Sequence, residues 1–194
     1  MIVRARFPEP ESTIPRWSEG EERELARTRV LAVTSTTCTS SSRPGVRLEA
    51  VRLRCPDWVN VLAITEADEM LFVAQYRHGI RQVTLELPGG TVDEGETPEQ
   101  ACARELLEET GHVGDPVRVL GSCSPNPALQ DNRVVTGLVT RARAAASVRG
   151  DGWEDLALRR VPVADVPRLV RDGLVHHALV VAALHLFAID GSAQ

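Results

Sequence analysis

Between Gly89 and His112 the chain reads GGTVDEGETPEQACARELLEETGH, and few folds accommodate such a segment. Thr97 is a natural N-cap, Pro98 takes the first helical position, and Gln100 completes a capping box. Gly111 stands where a left-handed residue ends a helix. Both ends are written locally, so TPEQACARELLEETG is predicted to be helical. The segment carries seven acidic residues (Asp93, Glu94, Glu96, Glu99, Glu105, Glu108 and Glu109) against one basic residue, Arg104. Residues three and four apart share a helix face. Glu105, Glu108 and Glu109 therefore project together, Arg104 points elsewhere, and Ala101, Cys102 and Leu106 are available for burial. No Lys or Arg on that face is placed to pair with its glutamates. Two readings stay open: a solvated acidic face, or a hard-oxygen site of the kind that takes Mg2+ or Mn2+.

The flanking segments have a different period. RVLAVTST, GVRLEAVRL, WVNVLAIT, MLFVAQYR and QVTLELP show the alternation and β-branched content of strands, as do VRVLGSC, RVVTGLVTRAR and LALRRVPV later. TCTSSSRP reads as a polar loop and EADE as a hairpin turn. Residues 1 to about 28, rich in Pro and charge, read as an extended arm with at most one helical turn. VADVPRLVRDG reads as a short amphipathic helix. A last helix is predicted near Val175–Ile189, with Leu179, Ala182, Ala183, Leu186 and Phe187 on its sheet side. The expectation is a mixed α/β chain, residues 1–45 forming an N-terminal arm and strands and residues 46–194 the main domain.

Composition excludes several function classes. A net charge of −5 argues against a general nucleic-acid binder. The longest apolar run, LVHHALVVAALHLFAI, is short and holds three histidines, which argues against a membrane span. MIVRARFPEP has no apolar core of a secretory signal. Four cysteines without a C-x-x-C pair fit a reducing cytoplasm better than a zinc or redox site.

The spacing from Gly90 runs through five residues to Glu96, seven to Arg104-Glu105-Leu106, one to Glu108-Glu109, and one to Gly111. This resembles the Nudix box, and AQYRHG followed by LELPGG resembles the ADP-ribose pyrophosphatase-like branch of that superfamily. The resemblance implies a Nudix fold, a mixed β-sheet sandwiched between helices, here with an N-terminal β extension. It implies a Mg2+- or Mn2+-dependent hydrolase of a nucleoside diphosphate derivative, ADP-ribose first among them. Glu105, Glu108 and Glu109 then fall at metal-ligand positions, with the Gly89 carbonyl as a further ligand. Arg104 would hold a helix glutamate in place and Glu96 would brace the loop. Glu108 and Glu109 are candidate bases. GDGWEDLALRRV resembles a later loop that supplies one, which makes Glu154 a candidate with Asp155 and Asp151 behind it; the alternative is a plain turn.

Arg77 inherits a diphosphate contact, the alternative being a surface arginine. Pro127 follows the box at the distance kept in the ADP-ribose group. The segment SPNPALQDNR departs from the Pro-Gly pattern usual there and offers Gln130, Asp131, Asn132 and Arg133, either as substrate contacts or as a structured turn. Trp17, Trp58 and Trp153 are candidates to stack on an adenine. The branch also implies a homodimer, built through RVLAVTST and GVRLEAVRL, or else these form a local hairpin. One box position departs: His112 stands where an aliphatic residue is usual, and reads as a helix-end residue beyond the cap. Two further readings remain, a hydrolase of coenzyme A or a nucleoside triphosphate, and a non-catalytic ligand sensor.

Overall fold

The computed structural model describes residues 7–147 and 155–191. The chain divides into two compact units, Met1–Leu53 and Arg54–Gln194.

The first unit is built on a three-stranded sheet in the order β1 (Ser18–Arg27), β2 (Ala32–Thr39), β3 (Arg47–Arg54). Two expectations are corrected here. SEGEERELAR is a ten-residue strand antiparallel to β2, not an arm with a helical turn. Its helix-favouring Glu and Leu content is overridden by backbone pairing with β2, and Arg52 on β3 adds a contact, its Nη2 reaching Glu19 at 2.6 Å. The polar loop also starts later than expected, because β2 runs through Thr37, Cys38 and Thr39.

The second unit centres on a seven-stranded mixed sheet. Its strands are β4 (Trp58–Thr65), β5 (Glu69–Arg77), β6 (Gln82–Glu86), β7 (His112–Val113), β8 (Arg118–Cys123), β9 (Val134–Ala144) and β10 (Ala157–Pro162). The order is β10-β5-β4-β9-β7, with β6 on β5 and β8 on β9. β4 and β9 run parallel; β10 and β6 pair antiparallel with β5. Alternation along β4 sends Val59, Val61 and Ala63 to one face, where Ala101, Cys102 and Leu106 of α1 (Pro98–Thr110) pack on them. Leu62 goes to the other face, against α2 (Val166–Arg171) and α3 (Ala178–Ile189). The sheet thus lies between helices, as expected. The buried face of α3 is Val180, Ala183 and Phe187, rotated from the predicted stripe that included Leu179 and Ala182.

Candidate functional site

α1 begins and ends as its sequence dictates. Gln100 N–H donates to Thr97 Oγ1 at 3.3 Å, and Thr97 N–H donates to Gln100 Oε1 at 2.8 Å. Gly111 closes the helix at φ 70°. One side of α1 is clamped to the sheet, which turns Glu105 and Glu109 toward the loop that precedes it. Both are nearly buried, at 9% and 5% exposure. Two glycines make that possible. A Cβ on Gly90 would fall 2.4 Å from Glu105 Oε1, and one on Gly89 would fall 2.1 Å from the Val59 carbonyl. Gly89 N–H donates to Glu109 Oε2 at 2.9 Å. The carbonyls on either side of Gly89, those of Pro88 and Gly90, accept from Val61 and Val59 on β4.

Arg104 does not point elsewhere; it runs through the middle of the acidic group. Its Nε and Nη2 donate to Glu96 at 3.0 and 2.9 Å, and Nη2 also donates to the Thr91 carbonyl at 2.8 Å. Its Nη1 bridges Glu105 Oε1 at 2.8 Å and Glu108 Oε2 at 3.2 Å. The missing partner of the glutamate face is therefore present, four residues before Glu108. Face counting missed it because a long side chain can reach across from a neighbouring row. The hydrogen bond to Arg104 holds the Glu96 carboxyl below the usual carboxylate range and keeps the guanidinium firmly charged. Glu96 Oε2 also accepts Asp93 N–H at 3.1 Å, so it braces the loop. Among the described residues no three His, Cys, Asp or Glu side chains converge on one point, and Nη1 of Arg104 supplies positive charge between two of the carboxylates.

The segment SPNPALQDNR is a folded turn anchored to the start of β4. Leu129 and Gln130 amides donate to the Asn126 carbonyl. Asp131 pairs with Arg54 at 2.7 Å, and Gln130 Nε2 lies 3.8 Å from Cys55 Sγ. Arg133 N–H donates to Asp57 Oδ1 at 2.9 Å, with Nη2 3.4 Å from Oδ2. Asn132 is 1% exposed, and neither its Nδ2 nor its Oδ1 has a hydrogen-bond partner; Arg133 Nε is likewise buried without one. The opening of β4 joins this turn to the glutamate loop. Trp58 N–H donates to the Arg133 carbonyl, while Val59 and Val92 amides donate to Gly90 and Asp57 carbonyls.

Arg77 ends β5 and is held by Glu86, with two bonds of 2.8 and 2.7 Å. Neither Glu86 nor Asp57 stood out in the sequence, although an acid between Leu85 and Leu87 signals a buried charge that needs a partner. Trp58 is half-buried on β4; Trp17 lies in the first unit with Arg43 over its ring at 5.5 Å. Glu154, Asp151 and Trp153 lie outside the described residues, and Asp155 is exposed.

His112 lies just beyond the Gly111 cap, as expected, but as a strand residue and not a helix end. It belongs to a two-residue strand paired with Ala144 and is 3% exposed. Nδ1 lies 2.7 Å from the Thr110 carbonyl, which can only accept, so Nδ1 carries the proton. Nε2 then accepts from Arg160 Nη2 at 3.4 Å. The position needs a buried side chain, and two polar partners let an imidazole replace an aliphatic one.

The NUDIX domain family matches residues 56–183. The ADP-ribose pyrophosphatase of Bacillus subtilis (strain 168) is 27% identical over 140 residues, 72% of this chain and 76% of that protein. The ADP-sugar pyrophosphatase of Mus musculus is 29% identical over 188 residues, 89% of this chain and 82% of that one. A solved structure described as an ADP compounds hydrolase superposes with a TM-score of 0.81 at 26% identity, covering 92% of this chain and 95% of that chain.

Proposed function

The chain belongs to the NUDIX domain family, as a hydrolase of the ADP-ribose and ADP-sugar pyrophosphatase type, and from that we propose the following. It cleaves the diphosphate of a nucleoside diphosphate derivative, ADP-ribose first, by attack of water on phosphorus with a divalent metal. The observation that carries this is the glutamate face of α1. Glu105 and Glu109 are set against a loop whose close approach needs Gly89 and Gly90, Glu108 lies on the same helix, and Arg104 already supplies positive charge between Glu105 and Glu108. These hard oxygens fit Mg2+ or Mn2+. Glu105, Glu108, Glu109 and the Gly89 carbonyl would hold it. When bound, such an ion offsets the diphosphate charge and acidifies a coordinated water.

The chain's own residues do the rest. Glu96 and Arg104 keep the carboxylates in place. Glu108, Glu109 and Glu154 are the candidates to take the water's proton. Arg77 meets the diphosphate. Asn132 and Arg133 bring buried, unpartnered donors and an acceptor to the turn beside β4, and Gln130 adjoins them. Residues 1–45 serve as an arm and strands for a homodimer, and residues 46–194 as the hydrolase domain. The exposed edge strand β1, exposed at all ten residues, supports such pairing. A cytoplasmic site of action accords with four cysteines that form no disulfide and with the described residues, in which no helix is long and apolar enough to cross a membrane.

A panel of nucleoside diphosphate derivatives assayed with Mg2+ tests the reading. We expect ADP-ribose to yield AMP and a sugar phosphate. No turnover of any member would overturn it in favour of a binding module.

A further inference from the structure

Glu86 lies in β6 with 2% of its surface exposed. A carboxylate that deep stays charged only if its oxygens are supplied with donors. Arg77 Nε donates to Oε1 at 2.8 Å and Nη2 to Oε2 at 2.7 Å, while Thr84 Oγ1 donates to Oε1 at 2.5 Å. Beyond Oε2 stands His177 Nδ1 at 3.5 Å, a buried nitrogen that makes no hydrogen bond. Burial pushes the Glu86 carboxyl up, but the bonds from Arg77 and Thr84 outweigh it and leave it below the ordinary range.

The strand register shows what the pair does to the arginine. Val73 faces Glu86, Gln75 faces Thr84, and Arg77 faces Gln82. To reach Glu86 the Arg77 side chain must lie back along β5 past the Gln75–Thr84 pair, not extend from the strand end. The pair is also asymmetric: the Arg77 side chain is 41% exposed and that of Glu86 is 3% exposed. The acid is the fixed, buried half and the cation the accessible half. As a stabilising device this is a poor choice, since apolar side chains in such a place do as well or better. As a positioning device it is apt. A guanidinium is planar, so two parallel bonds on one edge set the direction of every remaining N–H.

We propose that Glu86 is a positioning residue, which fixes the plane of the Arg77 guanidinium so that it meets the substrate's diphosphate in one orientation. This rests on the reading of Arg77 as the diphosphate contact. The test compares E86Q, R77A and the double variant, with ADP-ribose and Mg2+ as the kinetic probe and the Arg77 Nε–H signal in the NMR spectrum of the unliganded protein as a second readout. E86Q should raise KM about tenfold with kcat changed less than about threefold, the split expected of a lost binding geometry. The Arg77 Nε–H signal, protected in the wild type, should be lost. The double variant should be no worse than R77A, because each change breaks the same contact.

An unchanged KM with a persisting Nε–H signal in E86Q would overturn the proposal, as would KM effects that add in the double variant. If R77A leaves KM unchanged while E86Q still loses the signal, Glu86 keeps its role and the diphosphate reading of Arg77 falls. The NMR readout needs no substrate, so it decides the point even if ADP-ribose is not turned over. Should E86Q fail to fold, T84V withdraws one of the donors that hold Glu86 and should move both readouts the same way by a smaller amount.

Discussion

Arg104 is the side chain on which the acidic loop most depends, and R104M isolates its charge at similar length. In the wild type it makes five hydrogen bonds, to Glu96 twice, Glu105, Glu108 and the Thr91 carbonyl. Its side chain is 28% exposed, and those of Glu96 and Glu105 are 15% and 12% exposed. Breaking a fully buried ion pair costs about 3–5 kcal/mol, because the remaining charge stays desolvated. Partial exposure lets water in, so about 2–4 kcal/mol is the reasonable share here. In a chain of this size that lowers Tm by roughly 4–16 °C. The second half of the expectation concerns cations. With the guanidinium gone, Glu96, Glu105 and Glu108 repel one another, and Glu109 faces the same loop. A divalent ion relieves that repulsion, and any ligand that binds only the folded chain raises its stability. Thermal melts with and without Mg2+ should therefore show a larger Mg2+-induced rise in R104M than in the wild type. A Tm loss under about 2 °C would show that water already solvates these carboxylates and would undo the energetic argument. Equal Mg2+ shifts in the two proteins would place the ion away from this group.

Three other outcomes follow. E109Q keeps an acceptor for the Gly89 amide but loses charge, so turnover should drop at least ~10²-fold with Tm within a few degrees; near-normal turnover would remove Glu109 from the machinery. G90A places a methyl 2.4 Å from the Glu105 carboxylate, and displacing that group should cost about 1–3 kcal/mol and most of the activity, whereas an active, equally stable G90A would mean the carboxylate can move without consequence. Burial holds His177 below its usual 6.5 although Glu86 pulls the other way, so the unfolded chain takes that proton first, and stability falls as pH drops below 6.5 until the folded form is protonated too. Glu86 and Glu96 are shifted down, so their contribution is complete above the ordinary carboxylate range and is lost only as pH falls through their lower folded values. Urea midpoints taken across these two windows should show H177N flat in the upper one and unchanged in the lower; a wild type already flat in the upper window would refute the histidine's part.

Which of these features could be read beforehand depends on how far apart in sequence the partners lie. The ends of α1 were legible because Thr97, Gln100 and Gly111 act within one turn of themselves. The strands of the second unit, apart from the two-residue β7, were legible because alternation is a local pattern. β1 was not, since its helix-prone letters are overruled by backbone pairing with β2, in which Ser18 meets Thr39, 21 residues on. The glutamate face was half legible: spacing placed the three acids together, but not the arginine whose other anchor, Glu96, is eight residues back on the loop. Arg77 and Glu86 are nine residues apart, joined only because a hairpin register lays one strand on the other. His112 shows the limit most clearly. Its letter conflicts with an aliphatic position, yet the demand of that position is burial. Burial accepts an imidazole once Thr110, two residues away, and Arg160, 48 residues away, satisfy its two nitrogens. Local chemistry thus announces helices, caps and the count of acids. Which charges end up neutralised is decided by strand register, and that is where a reading by residue type stops and geometry has to take over.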